Sequence, residues 1–186
     1  WGLGEGWSDW YALTLLSTPE DDPGGCYASG AYVTWQLLGL TSNYYFGIRR
    51  YPYSTNLLKN PLTFKDIDPT QADAHDGVPL SPMFSPFRVW NAGELHNLGE
   101  FWCVTLWEAR ANLIAKHGYA TGNELALQLV TDGLKLSPPS PTFLQARDAI
   151  LLADRVLTGG TNRMELWSAF AKRGLGLSAS SPPSST

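Results

Sequence analysis

This 186-residue chain is poor in histidine (three), cysteine (two) and net charge (−4). Each shortage closes off a class of function. A weakly acidic chain gives no electrostatic reason to expect nucleic acid or an anionic membrane as partner. Adjacent basic residues such as Arg49–Arg50 fall far short of a basic patch. Cys26 and Cys103 are too few and too far apart for a cysteine-type zinc cluster, and as a pair they fix neither a disulfide nor a redox compartment. No apolar run is long enough to span a bilayer, and no signal peptide is visible. The first residue is Trp1 rather than Met. The expectation is therefore that the chain begins within a longer polypeptide and that the missing leader says nothing about localisation. Strand signals are scarce as well, so the fold class is mainly α.

What is plentiful is apolar and aromatic. Hydrophobic residues make up 44% of the chain, with eight Trp and eight Tyr, enough for a real core and against disorder. A first helix is predicted over Leu3–Leu16. Gly2, Gly4 and Gly6 weaken its first turn by up to about 1 kcal/mol each relative to Ala, so a close backbone neighbour is the physical candidate for keeping them. A second helix is predicted from Ala28 to Leu40, with Tyr32, Trp35 and Leu38 facing inward. Thr41 to Pro86 reads as a long irregular connection with short helical turns, a type that is often functional. Leu95, Leu98, Trp102, Leu106, Ala109 and Leu113 recur at helical spacing, which predicts a long helix over Glu94–His117, with Gly118 as its stop. Further helices are predicted over Gly122–Leu136, Pro141–Leu157 and Arg163–Lys172, the last capped by Thr161 or Asn162. Residues 1–176 then form one helical lobe. The Ser- and Pro-rich residues 177–186 form a disordered tail.

The segment carrying chemistry is Gly4-Glu5-Gly6-Trp7-Ser8-Asp9. Glu5 and Asp9 are four apart, so on a helix both carboxylates share one face. They repel unless a cation or hydrogen-bond donors lie between them. A solvated acidic edge is the plain alternative. The surrounding aromatics argue instead for a largely buried helix, where carboxylates need partners. A zinc site would supply both: a metal for one acid and a metal-bound histidine for the other.

These six residues resemble the Gly-Glu-Gly-Trp-Ser-Asp segment of the fungalysin metallopeptidases, relatives of thermolysin. The resemblance continues through Arg49-Arg50-Tyr51-Pro52-Tyr53-Ser54-Thr55-Asn56, Asn60-Pro61-Leu62-Thr63 and Leu95-His96-Asn97-Leu98-Gly99 with Trp102. It goes on at Asn112-Leu113-Ile114, Lys116-His117-Gly118, Leu125 to Val130, Ala146 to Leu151 and Trp167 to Gly176. It covers nearly the whole chain except the tail. It implies the helical C-terminal lobe of a secreted zinc endopeptidase acting on proteins or peptides. In such enzymes zinc is held by the two histidines of His-Glu-x-x-His and a downstream glutamate, a two-His, one-Glu set. The resemblance places Glu5 as the metal-binding glutamate and Asp9 as the acceptor that orients a zinc histidine. It makes His96 the catalytic histidine that donates to the substrate carbonyl oxygen. Set at the start of the long helix, His96 would feel a dipole that disfavours the imidazolium. An acid orients this histidine in relatives. Asn91 stands where thermolysin has an aspartate, and Glu94 or Glu100 are the substitutes.

The departure from the family pattern is equally plain. No two of His75, His96 and His117 are four apart, so His-Glu-x-x-His is absent. The upstream half of the same catalytic domain is the expected partner, the site in this chain is incomplete, and the chain alone is expected to be inactive. A non-catalytic helical binding module on the same scaffold is the alternative; retention of Glu5, Asp9 and His96 argues against it. Arg49 and Arg50 are open between reaching a substrate carbonyl and serving as loop salt-bridge partners. His75 belongs to a polar loop or an accidental surface metal site, and His117 to a structural helix end.

Overall fold

The computed structural model describes residues 1–71, 75–84 and 92–181. Asn91 therefore lies outside the described residues. The helices are α1 (Gly2–Leu16), α2 (Ala31–Leu38), α3 (Asn43–Phe46), α4 (Leu95–His117), α5 (Tyr119–Leu136), α6 (Phe143–Thr158) and α7 (Arg163–Lys172). A 3-10 turn spans Phe64–Ile67. Among the described residues no strand forms, and extended pairing is limited to two isolated bridges, Tyr27 with Tyr53 and Ser29 with Gly47. The chain divides into two compact units, residues 1–107 and 108–186, with the boundary inside α4.

In the first unit, glycines set how closely α1 meets the start of α4. A Cβ added to Gly2 would lie 2.3 Å from the Leu98 Cβ, and one added to Gly6 would lie 2.6 Å from the Gly99 carbonyl oxygen. On the other side, a Cβ on Gly99 would meet the Glu5 Cβ at 2.6 Å. Only glycine allows two backbones so close. Gly4 is different: it is exposed and nothing lies within 4 Å of an added Cβ. The close-approach expectation thus holds for two of the three glycines. Trp7 packs edge-on against Trp102, with ring centroids 6.1 Å apart, and Trp10, Tyr53, Phe101 and Trp102 are fully buried.

The inward face expected of α2 is not found. Tyr32, Trp35 and Leu38 are 64%, 51% and 57% exposed, and Thr34 is the buried residue of this helix. The helix is also shorter than predicted, because Gly30 and Gly39 take left-handed conformations at its two ends (φ +63° each). With eight residues it makes little more than two turns, and its helical spacing reports local periodicity without burial.

In the second unit α5 and α6 are amphipathic. α5 buries Gly122, Ala126, Leu129, Val130 and Gly133, and α6 buries Ala146, Ala149, Ile150 and Ala153. A Cβ on Gly133 would lie 2.7 Å from Ile150 Cγ1, so these helices also pack through a glycine. Thr142 caps α6 in a reciprocal box: its Oγ accepts from the Gln145 backbone N–H, and the Gln145 side chain accepts from the Thr142 N–H. Asn162 precedes α7 but makes no side-chain cap. Its amide donates to Asp154 Oδ1 (2.9 Å), and its Oδ1 lies 2.6 Å from His117 Nε2. His117 therefore ties the end of α4 to the start of α7. Lys172 and Arg173 converge on buried Glu108, Arg173 through Nε and Nη2 at 3.0 and 2.6 Å.

Candidate metal centre

The first unit brings Glu5, Asp9 and His96 into one neighbourhood. Glu5 and Asp9 sit one turn apart on α1, and His96 is the second residue of α4. The Glu5 carboxylate is flanked by two cationic or ionisable groups, His96 Nε2 at 3.6 Å and Arg49 Nη2 at 3.7 Å. Both are beyond ordinary hydrogen-bond reach. The Glu5 side chain keeps 36% of its exposure, so its lone pairs face an accessible space.

Asp9 is buried and heavily engaged. Oδ1 accepts from the Ser29 hydroxyl (2.9 Å) and Arg49 Nη2 (3.0 Å), and Oδ2 accepts from Arg49 Nε (2.6 Å) and the Tyr53 hydroxyl. A carboxylate has about four lone-pair positions, and these four donors fill them. Burial alone would lower the Arg49 guanidinium, but the hydrogen bond to Asp9 and the surrounding negative charges raise it well above its usual range. Burial pushes the Tyr53 hydroxyl up, and Asp9 adds to the effect. Loop geometry delivers these donors. The Tyr27–Tyr53 and Ser29–Gly47 bridges hold the two segments side by side, and Gly47 (φ +60°) is obligatory because a Cβ there would overlap the Ser29 carbonyl oxygen.

Of the two options left open for Arg49 and Arg50, ion pairing is the one found. Arg50 is 2% exposed; its backbone N–H and Nε donate to Glu100 at 2.6 and 2.7 Å, and Nη2 donates to the Asn97 carbonyl at 3.1 Å. Glu100 is thereby committed to Arg50. Glu94 instead meets His96: Oε1 lies 2.6 Å from His96 Nδ1, and Oε2 accepts the backbone N–H groups of His96 and Asn97 at 3.0 Å each. Burial would raise the Glu94 carboxyl, but these hydrogen bonds outweigh it and hold the group below its usual value. One side chain therefore caps α4 and holds a ring nitrogen. Glu94 immediately precedes α4, so its carboxylate sits at the positive end of the helix dipole. With Nδ1–H donated to Glu94, the ring offers Nε2 toward Glu5, and Nε2 becomes a donor only when both nitrogens carry protons.

Nothing about Ser29 or Tyr53 stood out in the sequence as a ligand signal, whereas Glu94 was one of the two acids left open as the partner of His96 and is the one found there. Ser29 and Tyr53 lie 20 and 44 positions from Asp9, and only the fold joins them. Glu94 had a weak cue, an acid two residues before a helix-starting histidine. His75 lies elsewhere, with Nε2 2.8 Å from Asp66 Oδ1, so its role is a polar loop contact. Cys26 and Cys103 are both free, and burial pushes the Cys103 thiol well up.

A family model described as fungalysin metallopeptidase (M36) matches residues 1–179. The chain belongs to this family. Among similar relatives, the probable extracellular metalloproteinase 5 of Arthroderma benhamiae is 39% identical, the match covering 98% of this chain and 26% of the relative. The extracellular metalloproteinase mep of Aspergillus fumigatus is 39% identical, covering 96% of this chain and 25% of the relative. The extracellular metalloproteinase 10 of Uncinocarpus reesii is 37% identical, covering 98% and 26%. The chain thus spans about a quarter of the length of the curated relatives it matches. A helical lobe is the fold found in this stretch of a fungalysin. Fungalysins are metallopeptidases, and the metal such a family implies is generally zinc. Among the described residues no group of three or more His, Cys, Asp or Glu could hold a metal ion. The donors present fit one oxygen ligand of a zinc site: Glu5 is accessible and accepts no hydrogen bond from the described residues, while Asp9 is saturated. No described helix is long and apolar enough to cross a membrane.

Proposed function

We propose that this chain is the helical C-terminal lobe, residues 1–176, of a secreted zinc endopeptidase acting on protein or peptide substrates. Residues 182–186 of the expected tail lie outside the described residues. The observation carrying the reading is the Glu5 carboxylate, accessible and without a hydrogen-bond donor among the described residues, beside a histidine held by its own acid. Glu5 is the ligand this chain contributes to the metal. The remaining ligands come from the upstream half of the same catalytic domain, which is the partner this lobe requires. When bound, zinc supplies Lewis-acid activation of water and carbonyl.

The chain's own residues then have distinct tasks. His96 faces the substrate carbonyl oxygen and donates to it from Nε2 as negative charge develops, a contribution of about 3–4 kcal/mol for one well-placed donor. Glu94 holds Nδ1 and so aims the ring. Asp9 anchors Arg49 beside Glu5. Its Oδ1, bound at the longer distances of 2.9 and 3.0 Å, is where the N–H of an incoming histidine ligand would share or replace a donor, orienting that ligand.

The test is Glu5→Ala in the longest natural polypeptide containing this chain. Loss of both bound zinc and peptide hydrolysis is expected. Retention of both would overturn the assignment and favour a binding module. The 186-residue chain alone is expected to show no chelator-sensitive hydrolysis and no tight zinc binding by titration calorimetry.

A further inference from the structure

Arg49 and Arg50 are consecutive, yet their side chains go to different helices. Arg49 runs to α1, where it grips Asp9 and stands 3.7 Å from Glu5. Arg50 runs to the first turns of α4, where it binds Glu100 and the Asn97 carbonyl. Glu100 also takes the Arg50 backbone N–H, so the peptide joining the two arginines is itself pinned to α4. Arg50 and Glu100 are almost fully buried, at 2% and 1% exposure, and a pair in that setting keeps one geometry because breaking it leaves an uncompensated charge. His96 precedes Asn97 by one residue and Glu100 by four, so the turn that Arg50 grips is the turn that carries His96.

We propose that Arg50 is a positioning residue for the hydrolytic site: through Glu100 and the Asn97 carbonyl it sets the placement of the first turn of α4, and so the distance from His96 to Glu5. This rests on the roles given above to Glu5 and His96. The glycine contacts at Gly2, Gly6 and Gly99 limit how close the helices come. Arg50 adds what a hard contact cannot, a directional restraint against sliding or rotation of α4. Arg49, fixed by the same peptide, receives the matching restraint on α1.

The test uses the longest natural polypeptide containing this chain, with Arg50→Lys and Glu100→Gln. Lysine keeps the charge but has one nitrogen on a flexible stem, so it cannot hold the Glu100 carboxylate and the Asn97 carbonyl in the same fork geometry. Crystal structures of the variants should show the His96–Glu5 separation changed by about 1 Å, a displacement of the size that costs up to about 100-fold in rate. In kinetics kcat should fall about tenfold or more, with KM within about twofold and zinc content unchanged. An unaltered His96–Glu5 separation overturns the proposal, whatever the activity. So does an unchanged kcat per folded molecule accompanied only by a lower melting temperature. If one variant fails to fold, the other decides by the same two readouts. Failure of the underlying reading is visible separately: Glu5→Ala would then leave zinc and hydrolysis intact, while the structural readout at His96 would still judge the positioning role.

Discussion

One added methyl group should have opposite effects at two glycines of α1. Gly6→Ala drives a Cβ to 2.6 Å from the Gly99 carbonyl oxygen, and overpacking of this kind costs about 1–3 kcal/mol. Gly4→Ala meets nothing within 4 Å and should gain up to about 0.5–1 kcal/mol from helix propensity. Urea unfolding of the two variants measures the contrast. A second residue-scale outcome concerns pH. Burial alone would raise the Asp66 carboxyl, but hydrogen bonds from His75 and from the Thr63 backbone and hydroxyl outweigh it and hold it below its usual value. The folded value is thus below the unfolded one of about 3.9. The stabilisation from Asp66 is therefore complete above that unfolded value and is lost as the pH falls through the folded one. The stability difference between the parent chain and Asp66→Asn should therefore shrink as the pH is taken below about 4.

At the scale of the element, tryptophans on two different helices should behave oppositely. Trp35 on α2 is 51% exposed, whereas Trp102 on α4 is fully buried. Trp35→Ser should change stability by no more than about 0.5 kcal/mol, and Trp102→Ala should cost about 3–5 kcal/mol. Chemical denaturation separates them readily. The α6 cap gives an intermediate case: Thr142→Ala removes one half of the reciprocal box and should cost about 1 kcal/mol. These contrasts show where sequence reading works. The long helices were legible because 23, 18, 16 and 10 residues of pattern, as in α4, α5, α6 and α7, average out local accidents. α2 was legible as a helix but not in its burial, because periodicity says which residues share a face and not what, if anything, that face meets.

On the scale of the whole molecule, charge is spent in a few buried pairs. In the second unit Glu108 is 2% exposed and Arg173 fully buried. Burial lowers the Arg173 guanidinium, and Glu108 opposes that effect. Arg173→Met should therefore destabilise by about 3–5 kcal/mol, because Glu108 loses its main partner in a dry site. Adding Glu108→Leu should recover much of the loss, and a double-mutant cycle by urea unfolding would measure it. The surface pair of Lys116 with Glu165 (2.9 Å) is worth at most about 1 kcal/mol by comparison.

Helix positions, the mainly α class, the family and the shared face of Glu5 and Asp9 all follow from local order along the chain: spacing, breakers and a run of matched segments. Such features depend on neighbours within a few turns, which is why they can be read without coordinates. The partners of those same residues depend on distant segments. Asp9 is saturated by Ser29, Arg49 and Tyr53, Glu94 rather than Glu100 meets His96, and Glu100 is taken by Arg50. A carboxylate pairs with whichever donor folding brings within about 3 Å, and the separations of 20 to 50 residues at Asp9 and Glu100 carry no local signature; Glu94 and His96 are only two apart, but that Glu100 is taken elsewhere is decided by the fold. Chemical potential was written in the sequence; the allocation of donors to acceptors was decided by the tertiary fold.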